Sequence, residues 1–63
     1  MIYCIYDHKQ KGIRGAYETL DQAQSWLVTR NKSGNKLSSD GWWMFDTAGI
    51  LYEIQEVYYE AKS

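Results

Sequence analysis

The sequence predicts a two-layer α+β domain of order ββαββ, a four-stranded antiparallel sheet with one helix packed on one of its faces. Three observations carry that expectation. A complete helix-start signal lies at Thr19. Strand-like segments, separated by turn residues, flank the helix in pairs on both sides. A chain of 63 residues has room for one hydrophobic core, so residues 1–63 are read as a single domain.

The helix is the best specified element. Thr19 is a good N-cap, since its hydroxyl accepts from an orphan N–H of the first turn. Gln22, three residues on, completes a Thr-x-x-Gln capping box, and Asp21 suits the positive end of the helix dipole. Leu20, Ala23, Trp26 and Leu27 then recur at helical spacing. Arg30 and Lys32 lie near the C-terminal end. The helix is placed at residues 19–31, with Asn31 or Gly34 available for a left-handed cap.

Ahead of it, residues 2–18 read as a hairpin. Ile2-Tyr3-Cys4-Ile5-Tyr6 is β-branched and aromatic, and apolar on both faces. Asp7 to Gly12 is the turn, with Gly12 free to take a positive φ. Ile13-Arg14-Gly15-Ala16-Tyr17-Glu18 alternates, with Ile13, Gly15 and Tyr17 on one face. Gly15 in mid-strand marks a bulge or a close approach of the helix.

After the helix, residues 31–41 form a long polar connection, expected to be flexible. Residues 42–60 read as the second hairpin. Its strands are Trp42 to Phe45 and Ile50 to Tyr59, and Gly49 takes the position of the turn that needs φ > 0. A change of phase along the last strand suggests a bulge near Gln55 or Glu56.

One short helix cannot cover both sides of a four-stranded sheet. The other side is then wet, or paired with a second copy. The chain has no proline and one cysteine, and three Trp, six Tyr and one Phe stand in for scarce aliphatics. Small domains without disulfides or metals commonly gain stability by oligomerising, so a homodimer is expected. Adjacent residues of a strand point to opposite faces, which puts one of Trp42 and Trp43 in the core and the other at an interface. The expected protein interface is Tyr3, Ile5, Trp42, Trp43, Phe45, Tyr58 and Tyr59, with loop contacts from Lys32 and Lys36.

Composition narrows the function. The net charge of −1 gives no general attraction to nucleic acid. The basic residues Lys9, Lys11, Arg14, Arg30, Lys32 and Lys36 precede the acidic stretch that carries Asp40, Asp46, Glu53, Glu56 and Glu60. Open aromatic sheets that stack bases need a positive groove alongside, and here the aromatic half is the acidic half. Nucleic acid is therefore not the expected partner. No apolar run is long enough to span a membrane. The N-terminal residues begin directly as a strand, with no signal-type segment. Cys4 is then read as a reduced thiol and the expected compartment is the cytoplasm.

Catalysis finds little footing. His8 and Cys4 lie four residues apart on an extended segment, about 13 Å, too far for a nucleophile–base pair. No second His or Cys cluster completes a metal site, and no glycine-rich loop leads from a strand into a helix. No enzyme, catalytic residue, metal or cofactor is expected.

Gly12-Ile13-Arg14-Gly15-Ala16-Tyr17-Glu18-Thr19, then Ala23, then Tyr52-Glu53-Ile54-Gln55-Glu56-Val57 follow a pattern found in very short phage and prophage proteins. The chain resembles these over most of its length. It departs from them in the segment 31–41 and the Trp42-Trp43 hairpin. Several phage proteins of this size inhibit host defence systems stoichiometrically. The resemblance therefore implies a non-catalytic, phage-encoded, protein-binding inhibitor acting as a homodimer in the host cytoplasm on a host protein. The alternatives from other classes are a nucleotide-sequestering protein with an aromatic pocket at the dimer interface, and a weak nucleic-acid binder.

Overall fold

In the computed structural model, which describes residues 1–58, the chain runs β1 (Ile2–Asp7), β2 (Gly12–Tyr17), α1 (Leu20–Arg30), β3 (Lys36–Leu37), β4 (Trp43–Asp46) and β5 (Gly49–Val57). The sheet is antiparallel, with order β2-β1-β5-β4-β3. The α+β class and the single helix agree with the sequence. Among the described residues the sheet has five strands rather than four, because the polar connection contributes β3.

That connection is more ordered than its composition suggests. Asn35 N–H donates to Lys32 O at 3.0 Å, closing a turn in which Gly34 has φ +93°. Lys36 and Leu37 then pair with Phe45 and Met44. Ser38 and Trp43 continue the pairing, through Ser38 N–H to Trp43 O at 2.9 Å and Trp43 N–H to Ser38 Oγ at 3.0 Å. The turn at residues 38–41 is tied by the Asp40 carboxylate, whose Oδ1 accepts from Ser38 Oγ at 2.6 Å and from Trp42 N–H at 3.1 Å.

The helix begins as expected. Gln22 N–H donates to Thr19 Oγ1 at 3.2 Å, and Thr19 N–H donates to Gln22 Oε1 at 3.3 Å, so both halves of the capping box form. Its other end differs from expectation. Asn31 caps it in an extended conformation (φ −65°, ψ 126°) with its N–H on Val28 O, and the positive-φ glycine belongs to the following turn.

Register decides which face the helix covers. Ile5 pairs with Ile54 of β5 and with Gly15 of β2, and paired residues share a face. Ile5, Ile54 and Met44 from the sheet and Ala23 and Leu27 from α1 make the buried apolar core. Tyr3, Tyr17, Leu20, Trp26, Leu37, Trp42 and Tyr52 pack around it. Ile5 has no exposed surface (0%), which removes it from the expected interface. Tyr3 sits on the same side, edge-on to Trp42 with ring centroids 6.1 Å apart. Because β1 is apolar on both faces, its periodicity gave no means of choosing between Tyr3/Ile5 and Cys4/Tyr6.

Two bulges set the remaining side chains. On β2 the register slips between Ile5 and Tyr6, which face Gly15 and Ile13 and leave Arg14 extra. Ile13 is thereby turned to the face of Tyr6, away from Gly15 and Tyr17, and the simple alternation read from the sequence fails there. On β5 the slip falls between the partners of Met44 and Phe45, which are Tyr52 and Ile50. The pairing of β5 with β1 is regular from Tyr52 to Val57, so the bulge lies near Leu51 and not at Gln55 or Glu56.

Candidate interaction surface

The face opposite the helix is assembled from alternate residues of all five strands. Tyr6 of β1 pairs with Ile13 on one side and Glu53 on the other, and Glu53 pairs in turn with Trp43. These four form one row across the sheet. A second row brings Ile50, Phe45 and Lys36 together. Cys4, between Ala16 and Gln55, belongs to the same face and is partly exposed. Ile13 is 54% exposed and Ile50 36%. No element of the described chain packs over this face.

The chemistry of the surface is aromatic with one carboxylate near its middle. Glu53 Oε1 lies 2.6 Å from His8 Nε2, and the Glu53 side chain is only 17% exposed. His8 stands edge-on to Tyr6, with centroids 4.9 Å apart at 90°. Lys9 Nζ is 3.4 Å from Asp46 Oδ2, which links the two hairpin turns at this end of the sheet. The Asp46 carboxyl is held below the ordinary range by the Ala48 N–H on its Oδ1 at 2.7 Å, with Lys9 adding to the effect.

The position of His8 follows from the loop beneath it. Asp7, 2% exposed, accepts on Oδ1 from Lys9 N–H at 2.8 Å and Gln10 N–H at 2.9 Å, and on Oδ2 from Arg14 Nε at 2.8 Å. Lys11, not Gly12, takes the left-handed conformation, with φ 58°. Burial alone would raise the Asp7 pKa, but its hydrogen bonds from Gln10, Arg14 and Lys9 and the charge of Arg14 outweigh it and hold the pKa below the usual value. Bulging Arg14 out of β2 is what lets it reach Asp7.

The residues expected at an interface thus divide. Trp43, Phe45 and Lys36 are brought together on the uncovered face. Tyr3, Ile5 and Trp42 lie on the helix side, so the adjacent tryptophans do take opposite faces. Tyr58 is 73% exposed beyond the end of β5. Lys32 is exposed in the turn after the helix, and Tyr59 lies outside the described residues. Sequence reasoning missed Tyr6, His8, Ile13, Ile50 and Glu53. The signal for Tyr6 and Ile13 was present in the apolar strands, but the bulge at Arg14 was needed to align them.

A separate groove of about 310 Å³ lies between α1 and the turn at residues 38–41, lined by Gln24, Leu27, Val28, Leu37 and that turn. No aromatic side chain lines it, so it is not the aromatic pocket that a nucleotide-sequestering protein requires. Among the described residues no group of three or more His, Cys, Asp or Glu side chains could hold a metal ion, and no helix is long and apolar enough to cross a membrane. By architecture this is a two-layer α+β domain with one uncovered sheet face. No family model, curated protein or solved structure matches the chain.

Proposed function

We propose that the chain is a non-catalytic protein-binding module. In the form implied by its resemblance to small phage proteins, it is a homodimeric, stoichiometric inhibitor that occludes a site on a host protein. One observation carries the binding reading. The uncovered face collects Tyr6, Trp43, Phe45, Ile13 and Ile50 in two adjoining rows around Glu53, and clustered apolar surface of this kind is characteristic of contact sites. Aromatic side chains at the centre of such a patch are the usual energetic anchors. The groove beside Gly41 lies on the helix side of the sheet and offers a second contact region.

The test is affinity capture from a host lysate with tagged wild type and with Trp43→Glu, read by mass spectrometry and by the stoichiometry of the purified complex. One partner held at a fixed ratio by wild type and lost by the variant is the expected result. Capture unaffected by Trp43→Glu would remove the sheet face from the reading. Release of a nucleotide on denaturing the purified protein would favour ligand sequestration instead. A steep fall of nucleic-acid affinity with salt would favour the nucleic-acid class.

A further inference from the structure

The uncovered face is not purely apolar. Glu53 stands within it between Tyr6 and Trp43. Its Oε1 is engaged by His8, and no other hydrogen bond to its carboxylate forms among the described residues. His8 already partners one oxygen, and a cation brought by a covering partner to the other oxygen adds a second charge-assisted hydrogen bond as the carboxylate loses its remaining water. The same face supplies such a cation. Lys36 pairs with Phe45 and so projects on this side of the sheet, and it makes no ion pair among the described residues.

The two charges flank β4. Glu53 is one strand away on β5 beside Trp43, and Lys36 is one strand away on β3 beside Phe45. Two strand spacings separate them by about 10 Å across the sheet, and two residues by about 7 Å along it. That is beyond comfortable contact within one chain. An isologous contact, however, brings residue i to j and j to i. A two-fold axis lying in the plane of contact and crossing β4 between Trp43 and Phe45 exchanges the positions of Glu53 and Lys36.

We propose that a second copy of this chain covers the uncovered face, with Lys36 of each copy on Glu53 of the other and Trp43 and Phe45 of both packed along the two-fold axis. The inference rests on the homodimer reading above and gives it a geometry. The size of the face is consistent with a small dimer. Strands of six, six, two, four and nine residues, about 4.8 Å apart and rising about 3.3 Å per residue, make a patch of roughly 430 Å². With side-chain relief, two such patches approach the ~1,000 Å² that a specific interface needs. The helix side, with the groove, then remains free for a foreign partner.

Charge reversal tests the pairing directly. Lys36→Glu and Glu53→Lys are each made in the full chain, and association is followed by analytical ultracentrifugation with circular dichroism as a check on folding. Wild type is expected to dimerise, and each variant alone to self-associate at least tenfold more weakly, since each places like charges at both contacts. Mixed in equal amounts, the two variants should recover a dimer, because both contacts then join opposite charges, one as a reversed pair and one as the native pair. That recovery also demonstrates that both variants fold. A wild type that stays monomeric at high concentration overturns both the proposal and the homodimer reading. A wild-type dimer that Lys36→Glu leaves unweakened overturns the pairing while the homodimer reading stands.

Discussion

Asp7 governs the first hairpin turn through both of its carboxylate oxygens. It caps Lys9 and Gln10 N–H on one oxygen and holds Arg14 on the other, while almost wholly buried. Charge-assisted hydrogen bonds contribute about 1.5–3 kcal/mol each, well above neutral ones. Asp7→Ala should therefore cost at least about 2–3 kcal/mol in urea denaturation. The pH dependence follows from the lowered pKa. The unfolded chain takes up a proton at about pH 3.9 while the folded chain resists. The contribution of Asp7 is then complete above about pH 4 and is lost as pH falls through the lower folded value. Asp7→Asn should flatten this acid limb of the stability curve. Lys11, in the same loop, bears a strained φ of 58°. A left-handed conformation costs a non-glycine residue about 1–2 kcal/mol, part of which glycine returns through its freedom in the unfolded chain. Lys11→Gly should accordingly stabilise by about 0.5 kcal/mol, seen as a higher urea midpoint with unchanged slope.

Among the elements, the turn at residues 38–41 shows how helix and second hairpin are joined. Gln24 Nε2 donates to Asp40 O at 3.2 Å, and a Cβ on Gly41 would sit 2.7 Å from that nitrogen at a φ of +79°. The side-chain amide can swing aside, but the positive φ cannot be relieved. Gly41→Ala should cost about 1.5–3.5 kcal/mol, the left-handed penalty with loss of one hydrogen bond. Leu27, at the centre of the core, should cost about 2–5 kcal/mol on truncation to Ala, a large share of the stability of so small a domain. The same elements show what the sequence could convey. The capping box at Thr19 and Gln22, the helical stripe and the turn at residues 46–49 were legible because each depends on residues a few positions apart. β3 was not, because a two-residue strand in a polar stretch has no periodicity of its own and exists only by pairing with Phe45 and Met44. The uncovered face was legible in its aromatics, Trp43 and Phe45. Its other members depended on the bulges at Arg14 and Leu51, which arise in the pairing of strands distant in sequence. Trp26 illustrates the helical case. It meets Tyr52 edge-on with centroids 5.0 Å apart and carries the Arg30 guanidinium 4.8 Å above its ring, so a residue placed by local spacing also locks α1 to β5.

For the molecule as a whole, the location of its apolar surface determines how its stability responds to concentration. Among the described residues the core holds five buried apolar side chains, Ala23 included. At about 0.05–0.15 kcal/mol per residue, a chain of this length is stable by roughly 3–9 kcal/mol. Neither edge of the sheet invites strand addition, since β2 is bulged at Arg14 and β3 has two residues, both recognised ways of blunting an edge. In the homodimer proposed above, the uncovered face is then the contact. A partner that binds only the folded chain adds about 2.7 kcal/mol at a hundred times its dissociation constant. For a domain of this size each kcal/mol moves the unfolding midpoint by about 4–8 °C. Raising the protein from well below to a hundredfold above the dimer dissociation constant should thus raise Tm on the order of 10 °C in wild type. Trp43→Glu, which places a charge in the middle of that face, should show little or no such rise. A wild-type Tm independent of concentration would mean that the small apolar core suffices alone and that the uncovered face is not closed by a second copy of the chain.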